Sequence, residues 1–320
     1  MSTSAAGART VRVKAPGKIN VSFRAGPLRP DGYHSVASLY LAVSLYEEIT
    51  ATSKPGTAPS DITLSINSNS VPGLAAGVPL DGRNLVVKAA TLLAEVSERA
   101  CGVHLDITKR VPVSGGMGGG SADAAATLLA CDALWNSGLS REELSHLAAE
   151  LGADVPFGLL GGAAIGLGVG DRLNPALAPA ALHWVLVQAD FGLSTPAVFG
   201  ALDRLRAASG ADPAVPEAVD PAVLSALRAS DAPALAKALV NDLQPASISL
   251  APQLADVLAD GVRLGALAGV VSGSGPTVAM LAADEDHALE LAARLAGAGY
   301  NALAVHGPVH GAKIVSDIRH

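Results

Sequence analysis

Apolar positions along the 320-residue chain switch between a period of two and a period of three to four, which predicts strands interleaved with helices. Residues 12–20 and 38–50 alternate or run β-branched on either side of a Pro30-Asp31-Gly32 turn, an antiparallel layout. Residues 53–82 are rich in Gly, Pro, Ser and Asn around one alternating stretch, 62–66, so an edge strand among loops is expected there. In 84–99, Leu85, Lys88, Ala89, Leu92, Leu93 and Val96 recur at helical spacing. Residues 103–108 alternate again, with His104 and Asp106 on one face and Val103, Leu105 and Ile107 on the other. After a glycine cluster at 115–120, residues 121–135 read as a helix with Ser121 as N-cap and Asp123 in its first turn. Ser140 and Glu143 form a capping box for the next helix, whose stripe is Leu144, Leu147, Ala148 and Leu151, and Gly152 is placed to stop it. Beyond Asp171 the chain turns Ala- and Pro-rich, with a strand at 184–189, helices near 197–208, 221–240 and 251–264, and a strand-glycine-strand unit at 268–282. That change of texture puts a domain boundary near 172, dividing the chain into 1–172 and 173–320.

Composition narrows this picture. Half the residues are apolar and only 3% aromatic, so the cores are built from Ala, Val and Leu on helices and strands, a mixed α and β protein. The formal charge is −7, which removes the basic field that draws proteins to nucleic acid or anionic membranes. Cys101 and Cys131 are too few for a disulfide framework, read as buried small hydrophobes, and fit a cytoplasmic setting. Residues 1–10 are small and polar without an apolar core, and no stretch reaches the ~20 apolar residues that span a bilayer. Neither export nor membrane insertion is expected.

The densest chemical signal is Pro112-Val113-Ser114-Gly115-Gly116-Met117-Gly118-Gly119-Gly120-Ser121-Ala122, lying between a predicted strand and a predicted helix. Glycines let successive amides turn inward, and a helix start adds free N–H donors and a partial positive charge, so the segment suits a phosphate group. It matches neither the G-x-x-x-x-G-K-[ST] phosphate loop nor the G-x-G-x-x-G dinucleotide turn, and the H-R-D and D-F-G signatures of protein kinases are absent.

The segment resembles the glycine-rich second motif of the GHMP kinases. Lys14-Ala15-Pro16-Gly17-Lys18-Ile19-Asn20 resembles their first motif, and Ser272-Gly273-Ser274-Gly275-Pro276-Thr277 their third, in the family's order and across nearly the whole chain. Pro30-Asp31-Gly32-Tyr33-His34 and Gly152-Ala153-Asp154-Val155-Pro156-Phe157 look like segments of the branch whose substrate carries a cytidylyl group. Taken alone, Lys18 reads as a surface lysine, Asp154 as an Asx-turn residue, and Tyr33 and His34 as turn packing.

The resemblance implies an α+β, two-domain GHMP kinase fold, with an N-terminal ribosomal-S5-like domain, a C-terminal ferredoxin-like domain and a cleft between them. It implies ATP and Mg²⁺, with phosphate passing to the 2-hydroxyl of a cytidylyl methylerythritol on the way to isoprenoid precursors. Lys18 and Asp154 are then the catalytic pair. Residues 112–122 wrap the triphosphate, Ser121 also reaching magnesium, while Lys109 and Asn84 lie beside the nucleotide. Asn20, Tyr33 and His34 form the substrate site from one half, Thr195 and Phe199 from the other. Ser114, Met117 and Ala122 depart from the family's usual loop, Ala122 replacing a serine hydroxyl that bears on magnesium. Other GHMP kinases acting on homoserine, mevalonate or a sugar, and a catalytically dead metabolite sensor of the same fold, stand as alternatives. A monomer or weak homodimer is expected, and His306 and His310 read as solvated tail residues rather than metal ligands.

Overall fold

The computed structural model describes residues 7–74 and 76–320, so the first six residues of the small, polar N-terminal stretch lie outside the described residues. The chain runs β1 (Arg9–Leu28), β2 (His34–Lys54), β3 (Ile62–Ile66), α1 (Leu85–Val96), β4 (Gly102–Thr108), α2 (Gly119–Trp135), α3 (Arg141–Leu151), α4 (Val155–Leu160), β5 (Ala163–Gly168), β6 (Arg172–Ala176) and β7 (Leu182–Gln188). It continues with α5 (Thr195–Ser209), α6 (Pro221–Ala229), α7 (Ala232–Ala238), β8 (Val240–Asn241), α8 (Gln244–Leu250), α9 (Gln253–Arg263), β9 (Ala268–Val271), β10 (Val278–Leu281), α10 (Glu285–Gly297), β11 (Asn301–Gly307) and β12 (Lys313–Arg319).

Two sheets organise these elements. The larger has the order β12-β1-β2-β4-β3, with β5 also on β2, β6 on β5, and β8 on β1; the smaller is β11-β7-β10-β9. Strand β6, beginning at residue 172, and the last strand β12 both belong to the larger sheet, so the chain leaves that sheet and returns to it. One core joins α1, α2 and α3 to the β1–β2–β4 face through Val13, Ile49, Leu93, Leu105 and Leu128. A second joins β1 and β2 to the smaller sheet through Ile19, Leu41, Trp184 and Leu281. Together they pack β1 and β2 between the helices and the smaller sheet.

Strands β1 and β2 run well beyond the predicted 12–20 and 38–50. Their pairing shifts register between Pro16 and Lys18, Asn20 and Ser22, and Ala25 and Leu28. Such bulges bend a long strand and increase its twist, which lets β1 pair with β12 at one end and β8 further along. Helix α1 begins after Asn84, whose side chain accepts from the Val86 amide, and ends at Val96, three residues short of the predicted limit. The predicted helix at 221–240 is two helices: Ser230 turns left-handed and Asp231 caps the second. The capping box of Ser140 and Glu143 forms as read. Cys131 is buried, whereas Cys101 is only half-buried, because it sits in the turn before β4.

Candidate active site

The glycine cluster is shaped by contacts on both sides. Helix α2 begins two residues earlier than predicted, at Gly119, and its N-cap is Gly118 in a left-handed conformation (φ 67°) rather than Ser121. A left-handed N-cap costs glycine little. Gly116 is also left-handed (φ 75°), and a Cβ there would collide with the Ser272 carbonyl oxygen. The other two motifs grip this loop. The Lys18 amide donates to the Met117 carbonyl (2.9 Å), the Ser272 hydroxyl donates to the Gly116 carbonyl (2.9 Å), and the Thr277 amide donates to the Gly115 carbonyl (3.2 Å). Carbonyls are thus turned toward the protein. Among the described residues, no protein group accepts from the amides of residues 115–121, and the first helical amide with a partner in this segment is that of Ala122, donating to Gly118. A row of free N–H groups at a helix entrance attracts anions.

Across from the row stand Lys18 and Asp154. Lys18 Nζ lies 3.5 Å from Asp154 Oδ2 and donates to Asn20 Oδ1 at 2.8 Å. Asn20 is fixed in turn, since its Nδ2 donates to the Ser38 hydroxyl, which donates to the Ser22 carbonyl. Asp154 occupies the N-cap position of α4 in helical conformation, yet its side chain caps nothing, so it does not make the Asx-turn that its sequence context allows. Tyr40 completes the group. Its ring lies 5.3 Å from Lys18 Nζ and 5.4 Å from Phe157. Burial, then the charges of Asp154 and Asp171, hold its hydroxyl well above the ordinary phenol value. It therefore stays a proton donor.

These groups line one cavity of about 730 Å³. Of the residues named from the sequence, Lys18, Asn20, Tyr33, His34, Pro112, Ser114, Gly115, Gly116, Gly118, Gly119, Gly120, Ser121, Asp154, Thr195 and Phe199 reach its wall. Tyr33 is exposed at the rim, whereas His34 is buried and stacks on Phe199 at 4.7 Å between centroids. Its Nε2 lies 2.9 Å from Asp203 Oδ1. Thr195 and Ser274 share a hydrogen bond at 2.9 Å, tying α5 to the third motif.

Five named residues are not on that wall. Met117 and Ala122 face the core and Val113 is exposed outside the cavity. Asn84 is spent on capping α1 and on donating to the Pro79 carbonyl (2.7 Å). Lys109 points inward, its ammonium 2.6 Å from both Glu47 and Asp123. Glu47 also accepts from the amides of Arg110 and Val111, so the cluster braces the strand that leads into the glycine loop. Asp123 is accordingly buried against Lys109, and because the helix starts at Gly119 it falls after the first turn rather than in it. Tyr40, Asp203 and Glu47 carried no role in the sequence reading. A signal for Asp203 existed in its i+4 spacing from Phe199. The two histidines lie in structured segments rather than a tail: His306 in β11, its ring 6.3 Å from His183, and His310 in a bridge to Gly161, both exposed.

A row of free helix-entrance amides facing a lysine and an aspartate across one cleft, in a fold of one mixed and one antiparallel sheet, is the arrangement of a phosphotransferase acting on small molecules. Residues 84–162 match the family described as GHMP kinases N terminal domain, and residues 223–301 match GHMP kinases C terminal. The chain belongs to the GHMP kinases. It is 68% identical over 311 residues to the 4-diphosphocytidyl-2-C-methyl-D-erythritol kinase of Pseudarthrobacter chlorophenolicus, covering 97% of this chain and 96% of that one. The enzyme of the same name from Thermobifida fusca is 49% identical, covering 96% and 98%. Among solved structures, a 4-(cytidine 5'-diphospho)-2C-methyl-D-erythritol kinase superposes with a TM-score of 0.75 at 31% identity, covering 93% and 99%. The homoserine kinase of Cytophaga hutchinsonii, at 19% identity and a TM-score of 0.72, shares the fold.

Proposed function

We propose that the protein transfers the γ-phosphate of ATP to the 2-hydroxyl of 4-diphosphocytidyl-2-C-methyl-D-erythritol. The observation that carries the chemistry is the row of free amides from 115 to 121 facing the Lys18–Asp154 pair across one cleft. The substrate is supported by the name shared by relatives of 49–68% identity. The buried His34–Phe199 stack, with Tyr33 at the rim, suits a planar base.

Phosphoryl transfer asks mainly for alignment and charge neutralisation. The amides at the head of α2 hold the polyphosphate by donating to its oxygens. Asp154, uncommitted to any cap, accepts the proton of the acceptor hydroxyl and orients its oxygen. Lys18 lies close enough to offset negative charge on the transferring group, and Asn20 fixes where its ammonium points.

The residues present are compatible with magnesium, although they supply few ligands. The Ser121 hydroxyl is on the wall, Ala122 brings none, and Asp123 is committed to Lys109. Mg²⁺ commonly keeps phosphate and water oxygens as most of its shell, so one hydroxyl is sufficient. When bound, the ion would neutralise charge on the phosphate being transferred.

The test is a substrate panel with ATP. Turnover of the cytidylyl compound and not of mevalonate or homoserine is expected, and the reverse would overturn the reading. Asp154→Ala and Lys18→Ala are each expected to lower kcat by at least ~100-fold while the fold persists. Activity within a few-fold of wild type in either variant would remove the assigned roles.

A further inference from the structure

Thr195, Phe199 and Asp203 are spaced four residues apart on α5, so their side chains share one face of the helix, and all three reach the cleft. That face is held in place by Arg206, whose guanidinium donates to the Ala25 and Gly26 carbonyls of β1 at 2.6 and 2.8 Å. His34, the first residue of β2, meets two of the three. Its ring stacks on Phe199 at an interplanar angle of 24°, and its Nε2 lies 2.9 Å from Asp203 Oδ1. Among the described residues, its Nδ1 has no protein partner.

A carboxylate can only accept, so the Asp203 contact places the ring hydrogen on Nε2. In a neutral imidazole the other nitrogen is then a bare lone pair, here on a ring that lines the cleft. We infer that Asp203 sets the base specificity of the site: by fixing the hydrogen of His34 on Nε2, it presents Nδ1 as an acceptor matched to the exocyclic amine of a cytosine. This inference rests on the cytidylyl substrate proposed above and adds to it a positioning residue in the C-terminal half.

The discrimination follows from hydrogen-bond sign. Cytosine offers an N–H₂ donor at the edge position where uracil has a carbonyl oxygen. An acceptor nitrogen therefore pairs with the first and opposes the second, and an unpaired polar group in a desolvated site is costly. Were the hydrogen on Nδ1 instead, the preference would reverse. His34 alone permits both tautomers, and Asp203 removes one of them.

The test compares the wild-type chain with Asp203→Ala and Asp203→Asn. Nitrogen NMR of the His34 ring reports the tautomer, calorimetry with CDP and UDP reports base preference, and steady-state kinetics report KM and kcat. The wild type is expected to carry the hydrogen on Nε2 and to bind CDP at least about tenfold more tightly than UDP. Asp203→Ala is expected to show mixed tautomers, to lose about tenfold of that preference, and to raise KM for the cytidylyl substrate. Its kcat and its KM for ATP should stay within about threefold, an outcome that a general loss of structure would not give. Asp203→Asn keeps an acceptor oxygen for Nε2–H and is expected to retain most of the preference, which keeps the test available if the alanine variant folds poorly. A wild-type His34 with its hydrogen on Nδ1, or an alanine variant with an unchanged CDP/UDP ratio, overturns the inference. Equal wild-type binding of CDP and UDP, with turnover of another substrate, overturns the cytidylyl reading and the specificity role together. The NMR spectrum would still show in that case whether Asp203 fixes the ring.

Discussion

Replacing Lys109 with methionine keeps most of the side chain's bulk and removes its charge. The ammonium sits 2.6 Å from both Glu47 and Asp123, and all three groups are sealed from solvent. One cation between two carboxylates leaves a buried net charge unless one carboxyl is protonated. Burial, reinforced by the charge of Asp123 and opposed by Lys109, pushes Glu47 from 4.5 up to about 8. Burial also raises Asp123, whose Oδ1 has no partner, so the pair holds a proton at neutral pH. Burial lowers the Lys109 value, but Asp123 and Glu47 outweigh it and the ammonium persists. Losing one member of such a buried pair costs roughly 3–5 kcal/mol, a large share of the ~5–15 kcal/mol that keeps a domain folded. The penalty is expected to be greatest above about pH 8, where both carboxyls of the variant are pressed to ionise, and smaller near about pH 5, where both can take up protons. In the wild type, Glu47's folded value lies above its unfolded one. Its contribution to stability is therefore complete below 4.5 and is lost as pH rises toward about 8. Urea unfolding followed through the buried Trp135 and Trp184 across that range measures both effects. Replacing all three residues by Gln, Met and Asn should recover most of the loss, because no buried charge then remains. The Lys109→Met variant, where folded, should keep its KM for ATP within about threefold. Undiminished stability combined with a tenfold higher KM for ATP would refute this account and return Lys109 to the nucleotide.

Three further outcomes are expected. Gly116→Ala meets both a left-handed backbone and the Ser272 carbonyl, so kcat/KM for ATP should fall by at least about tenfold; unchanged kinetics would show that the loop shape is not required. Gly138→Ala, left-handed but in open space, should cost about 1 kcal/mol in unfolding experiments and leave activity intact, which separates backbone strain from loss of the phosphate site. Tyr40→Phe keeps the ring against Phe157 and removes a hydroxyl from the cleft wall near the charge of Asp154, so kcat should fall by about three- to tenfold with little change in Tm; an unaltered kcat would show that this hydroxyl takes no part in transfer.

Much of the fold was legible because it is written in local periodicity and caps. The Ser140–Glu143 box, the strand at 62–66 and the strand-glycine-strand unit at 268–282 depend on neighbours a few residues away. Local pattern was weaker where a single residue divides an element, as Ser230 divides 221–240, and at the glycine loop, where a backbone conformation moved the helix start from Ser121 to Gly119. Tyr40 and Glu47 were invisible as functional residues for a different reason. Both lie in a largely apolar stretch where an aromatic or a glutamate reads as ordinary strand composition, and the groups they face, Asp154, Lys109 and Asp123, are distant in sequence.

By itself the sequence determined the order of elements, the glycine-rich, helix-entrance character of residues 112–122 and the residue types available for transfer, because glycine freedom and helix entrances act over a few residues. Tertiary structure alone decided which charges are free to act. Lys18 and Lys109 are both buried lysines beside carboxylates, yet one opens onto the cleft with Asp154 while the other is consumed by Glu47 and Asp123. What separates them is which way the chain turns each side chain once the helices and the smaller sheet have packed on β1 and β2, and charge availability depends on that surrounding dielectric and pairing rather than on residue type.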